Sequence, residues 1–141
     1  MPGVSFSVGV NALALRLALA ASVLTAACAI EPGPLLTGQW GGRLVSLDVQ
    51  ESEAQLQFPC MSAKLPRPTL DASGHFEEIA SITWVSWAGY SPAGLRVTGD
   101  VNGFDMSLTI AYVSPPSFAQ PQHYTLRRGA PPDFSDVACL A

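Results

Sequence analysis

The chain has 141 residues, of which 48% are hydrophobic and 13% charged, with a formal net charge of −4. That length allows one domain, and twelve Pro and twelve Gly beside a single Lys suit a turn-rich β protein better than a helical one. No basic stripe or Lys/Arg cluster occurs, which argues against nucleic acid as a partner.

Residues 12–30 are almost all Ala, Leu, Val, Ser or Thr, and Arg16 is the only basic residue before the apolar run Leu17–Leu24. A run this short does not span a bilayer comfortably as a permanent helix, but it fits the apolar region of a secretory signal. Thr25-Ala26-Ala27-Cys28 then resembles the lipobox of bacterial lipoproteins, with Thr25 at the position where that family usually carries Leu. The resemblance implies a diacylglycerol on the Cys28 thiol and removal of residues 1–27, so that Cys28 becomes the first mature residue. Cleavage at an Ala-x-Ala-like site and a retained anchor are the other readings. With Ala29 rather than Asp beside the cysteine, the expected address is the cell envelope, on the periplasmic side of the outer membrane. Ala29–Leu36, with Pro32 and Pro34, reads as a flexible tether. The expected division is a signal peptide over 1–27, a tether over 28–36 and a β-barrel domain over 37–141.

Thr37–Val49 reads as the first strand, with Val45, Leu47 and Val49 inward and a bulge or sharp bend at Gly41-Gly42. After a polar turn, Ala54, Leu56, Phe58 and Cys60 alternate with polar residues as a second strand. Met61–Pro68 is less regular, and Pro66 and Pro68 confine it to an edge or loop. Asp71–Gly74 is a tight turn leading into His75–Ile79, and Ile79–Trp87 has strand composition. The strongest signal is Leu95–Tyr112, two alternating runs about Asn102-Gly103. A type I′ turn at that dipeptide would pair Val101 with Phe104, Gly99 with Met106, Val97 with Leu108 and Leu95 with Ile110. Ser114–Gln122, with three prolines, is a long loop, and His123–Arg128 returns as the last strand with Tyr124 and Leu126 inward. The predicted fold is all-β: an antiparallel up-and-down meander of about six to eight strands, closed into a barrel or flattened into a sandwich.

Export places the chain where disulfides persist. With Cys28 lipidated, Cys60 and Cys139 remain as a pair, closing a loop worth roughly 4 kcal/mol in the chain-entropy model. Two thiols without a neighbouring His or Cys lack metal-ligand spacing, so no metal or other cofactor is expected. Gly38-Gln39-Trp40, extended by Leu36-Thr37, is similar to the Gly-x-Trp opening of lipocalins and avidins. In those barrels an arginine from the last strand packs over the tryptophan. The resemblance assigns that part to Arg128, by cation–π contact and hydrogen bonds to carbonyls. The whole mature chain also resembles small bacterial lipoproteins that open with Thr-Gly-x-Trp-Gly-Gly and carry a cysteine after the second strand and another at the C-terminus.

Candidate chemistry is sparse. Asp100 and Asp105 should face each other outside the hairpin as solvated acids, and His75 and His123 lack the neighbours of a triad. Asp71–Glu78 lacks the ligand repeat of a calcium loop. Trp84 and Trp87, three apart on a strand, point to opposite faces, so one is expected in the core and the other can join Tyr90 in an exposed aromatic patch, which marks binding surfaces. The expected function is non-enzymatic: a membrane-anchored interaction or inhibitor module whose partner is another envelope protein. The alternative is a carrier of a small apolar ligand inside the barrel. A cavity of about 300 Å3 or more lined by Leu, Phe and Met would favour the carrier, and an exposed Trp/Tyr patch the interaction module.

Overall fold

Alternation of apolar and polar residues separates inside from outside on nearly every strand. The computed structural model describes residues 33–85, 93–114 and 119–139; the signal, Cys28, most of the tether, Trp87 and Tyr90 lie outside them. The described residues form β1 (Gly38–Gly42), β2 (Val45–Val49), β3 (Glu53–Phe58), β4 (Met61–Pro66), β5 (His75–Val85), β6 (Leu95–Asn102), β7 (Asp105–Tyr112) and β8 (Gln122–Arg128). Each strand pairs antiparallel with its chain neighbours, and β1 pairs with β8 to close a barrel. The predicted meander is therefore closed on itself, not pressed into a sandwich. Closure removes the two free edges that an open sheet would expose.

Val45, Leu47, Leu56, Val97, Leu108 and Leu126 point inward and fill the middle of the barrel, each at most 1% exposed. Full burial of such side chains contributes about 2 kcal/mol apiece. No polar or charged residue is buried among the described residues, so this part of the core is held by packing alone.

Four local expectations are corrected. Thr37–Val49 is not one bent strand but a hairpin, reversing at Arg43-Leu44 between the Gly42–Val45 pair. Leu44 takes the left-handed conformation there, at φ 66°, an uncommon state for a branched residue. Met61–Pro68 is not an edge or a loop, because Met61–Pro66 is paired along its length with β3. Pro66 ends the strand beyond the last pair with β5, Lys64–Ser81, so its missing N–H interrupts no ladder on that side. His75–Ile79 and the segment after it are one continuous strand. That strand carries a bulge in which Thr83 is the extra residue, between Ala63–Ile82 and Ser62–Trp84.

The fourth correction concerns the strongest signal. The β6–β7 hairpin turns at Gly103-Phe104 rather than Asn102-Gly103, with Asn102 opposite Asp105, Val101 opposite Met106 and Gly99 opposite Leu108. Gly103 has φ 62° and Phe104 is not left-handed, the pattern of a type II′ turn with Gly first. Moving the turn by one residue slides β7 two places along β6, so each strand keeps its inward set. Phe104 alone leaves the core; it sits on the turn, 66% exposed.

Candidate functional site

Because strands alternate in direction, the last residues of β1, β3, β5 and β7 and the first residues of β2, β4, β6 and β8 share one end of the barrel. At that end the inward side chains stop short of filling the lumen. A cavity of about 370 Å3 opens there, with Phe58, Met61, Leu95 and Ile110 forming its apolar walls and floor. These four are each under 10% exposed, and the packed middle layer lies beneath them. The rim consists of Leu44 from the first turn, Tyr112 at the end of β7, Gln120, and Gln122 and Tyr124 on β8. Leu44, the strained residue of the β1–β2 turn, is one of its apolar walls.

Two aromatic rings shape the polar side of this cup. Tyr124 stacks at a tilt on Phe58, with centroids 5.7 Å apart. Its hydroxyl donates a hydrogen bond to the Gln122 side-chain carbonyl. Burial, and secondarily the neighbouring Tyr112, push the Tyr124 phenol above its ordinary value, so it remains a neutral donor at physiological pH. Among the described residues lining the cup none is charged.

The remaining wall comes from the C-terminal tail. After β8 the chain reverses and runs back outside β1. Gly129 N–H donates to Gln39 O, Asp133 N–H to Gly42 O, and Leu44 N–H to Asp133 O. Gly41 makes this crossing possible, since a Cβ there would lie 2.1 Å from the Ala130 carbonyl oxygen. The tail reaches the cup at Val137 and is bonded there through Cys139 to Cys60, with Cα atoms 5.3 Å apart. The two cysteines therefore form the expected disulfide, and its place on the rim gives it a second role as the clasp of the cup wall.

The opposite end is shut. Leu36, Trp40, Leu65, Pro68 and Phe76 are buried there. Leu36 N–H donates to Pro68 O at 2.9 Å, and Arg67 Nε donates to Leu36 O at 2.9 Å. Trp40 and Arg128 are register partners across the β1–β8 seam. The Trp40 indole N–H donates to the Thr37 carbonyl, whereas Arg128 Nη2 donates to the Thr37 hydroxyl at 2.9 Å, not to a carbonyl. Thr37 thus links the two residues, and no ring contact of Arg128 with Trp40 occurs among the described residues.

The outer face bears no cluster of three or more metal-ligating side chains among the described residues. Asp100 and Asp105 do not face each other: the register places Asp100 opposite Ser107, and Asp105 opposite Asn102 and Arg127. Asp100 instead accepts a hydrogen bond from His75 Nδ1 at 2.7 Å. His123 shares a hydrogen bond with the Thr109 hydroxyl at 2.9 Å. Asp71 caps its own turn, accepting from Ser73 Oγ and from the N–H groups of Ser73 and His75. A second depression of about 410 Å3 lies outside the barrel, between the tail at Gly129–Pro132 and the polar residues Gln39, Ser46, Asp48, Gln55 and Gln57. Of the aromatic patch, Trp84 is 51% exposed on β5, turned outward by the bulge beside it.

Sequence reasoning missed the cup because its described lining comes from six separate stretches of chain. Alternation assigned Phe58, Leu95 and Ile110 to the inside, but it does not say how far the packing of that inside reaches. Comparison with protein-family models, curated proteins and solved structures finds no match to this chain.

Proposed function

We propose that this barrel binds a small apolar molecule in the cup at its open end, as a carrier or receptor held at a membrane by a lipid on Cys28. The observation that carries the reading is the apolar cavity of about 370 Å3 above a filled core. Its size falls within the range of small-molecule sites, and its few polar groups gather on one side of the rim. The reading assigns no chemical step: the polar groups of the described lining are amides and phenols, which orient a ligand. The apolar run Leu17–Leu24 and the small residues before Cys28 support the address on the periplasmic side of the outer membrane.

Titration with the neutral fluorophore N-phenyl-1-naphthylamine tests the proposal. Saturable fluorescence enhancement with unit stoichiometry is expected, and Val137→Trp, which fills the cup from the tail, should abolish it without unfolding the barrel. Enhancement unchanged in that variant would place the probe elsewhere and sink the reading. Trp84, half exposed on the outer face, favours a second use of the same domain as a docking surface for another envelope protein. Site-specific photocrosslinking at position 84 in intact cells should then give one adduct of defined mass; a smear or no adduct would remove that use.

A further inference from the structure

We infer that the cup selects uncharged amphiphiles, molecules with an apolar body and a neutral hydrogen-bonding head, over carboxylates and ammonium ions of the same chain length. The inference rests on the cup being the ligand site and goes on to name the ligand's chemistry. The volume bounds the enclosed part of the body: at about 30 Å3 per non-hydrogen atom, 370 Å3 holds about a dozen such atoms, and a larger molecule such as the fluorophore leaves its remainder at the open mouth. The apolar floor of Phe58, Met61, Leu95 and Ile110 offers that body no hydrogen bond, so the body is hydrocarbon.

The head must then meet the rim, where the polar groups are the Gln120 and Gln122 amides and the Tyr112 and Tyr124 phenols. Amides donate and accept, and phenols do likewise, so together they match a hydroxyl, amide or ester. They do not neutralise an ion. The two arginines nearest this end are committed elsewhere: Arg43 Nη2 lies 3.3 Å from an Asp136 oxygen, and Arg96 Nη1 lies 2.6 Å from a Glu77 oxygen. Neither lines the cup. Among the described residues of this rim, a carboxylate would lose water without gaining a cation, and an ammonium would find no anion. For a head that stays partly wet, the difference should amount to about 10- to 100-fold in affinity.

Displacement of N-phenyl-1-naphthylamine from the full chain by 1-decanol, decanamide, decanoate and decylammonium at pH 7 tests the inference. The alcohol and amide should displace the probe with affinities at least tenfold better than either ion. Gln122→Ala should weaken decanamide several-fold more than it weakens 1-decanol. Val137→Arg, which brings a cation to the wall, should shift the preference, raising decanoate affinity about tenfold relative to decanol. If all four compounds displace the probe equally, or if decanoate is preferred, the neutral-head inference falls while the cup remains a binding site. If the probe itself does not bind, the binding reading falls and takes this inference with it.

Discussion

The two ends of this barrel are built from the same strands but solve opposite problems. At the shut end Leu36, just ahead of β1, is buried with Trp40, Leu65, Pro68 and Phe76. Thr37 then ties the seam by accepting from both Trp40 and Arg128. At the open end no side chain among the described residues enters the lumen in that way, and Phe58, Tyr112 and Tyr124 stand along the wall instead. The plug is replaced by a covalent clasp, Cys60–Cys139, which holds the tail as part of the rim. A void must be walled by something that does not collapse into it, and a crosslink in the wall serves without occupying the space. One end of the barrel is therefore held by packing and the other by a covalent bond.

Substitutions can break that separation. Trp40→Ala at the shut end should cost about 4 kcal/mol in urea denaturation, the range for truncating a large buried aromatic. Probe affinity in the folded fraction should stay the same. Gly99→Ala should cost about 3 kcal/mol, because the Cβ would lie 2.2 Å from the Phe76 ring, which occupies the space that Gly99 leaves. A smaller loss than 1 kcal/mol would mean that the ring is free to move.

The clasp belongs to both ends of the comparison. The double substitution Cys60→Ala with Cys139→Ala should cost about 4 kcal/mol, since the bond spans 79 residues of sequence. Unlike Trp40→Ala, it should also weaken probe binding several-fold, because Val137 loses its anchor. Calorimetry and fluorescence on the same sample would separate the two effects. Equal probe affinity before and after removal would show that the tail is no part of the wall.

The smallest expected effect lies on the outer face. His75 is raised above its ordinary value, chiefly by the hydrogen bond to Asp100, so the folded chain holds that proton more tightly than the unfolded one. The pair's contribution is full below the unfolded value near 6.5 and is lost as pH rises through the higher folded value. His75 and Asp100 are both solvent-exposed, so the contribution is small. His75→Gln should flatten the melting temperature against pH across that window and leave probe binding untouched.

Much of the barrel was legible. Alternation in Val45–Val49 and in Ala54–Phe58 gave the inward faces directly, as it did on both arms of the β6–β7 hairpin. The hairpin also shows where local reading ends. Asn102-Gly103 favours a type I′ turn by propensity, yet the chain turns one residue later. Gly103 can serve as the first residue of a type II′ turn equally well, and neighbouring strands decide between the two. Phe76 of β5 packs over Gly99, and β8 pairs with β7 from Asp105 to Ile110, so both arms are positioned from outside the hairpin. Proline misled for a similar reason: Pro66 looked like an edge, but whether its missing N–H matters depends on where the next strand stops.

By itself the sequence determined the class of fold, the inward face of most strands and the pairing of Cys60 with Cys139. These follow from composition, period and small numbers, which are local or nearly so. Only the tertiary structure decided the register of the hairpin, the path of the tail outside β1, and the contrast between a plugged end and a hollow one. Those depend on which side chains from distant strands meet at the same height in the barrel, and how much of the lumen their summed volume leaves unfilled.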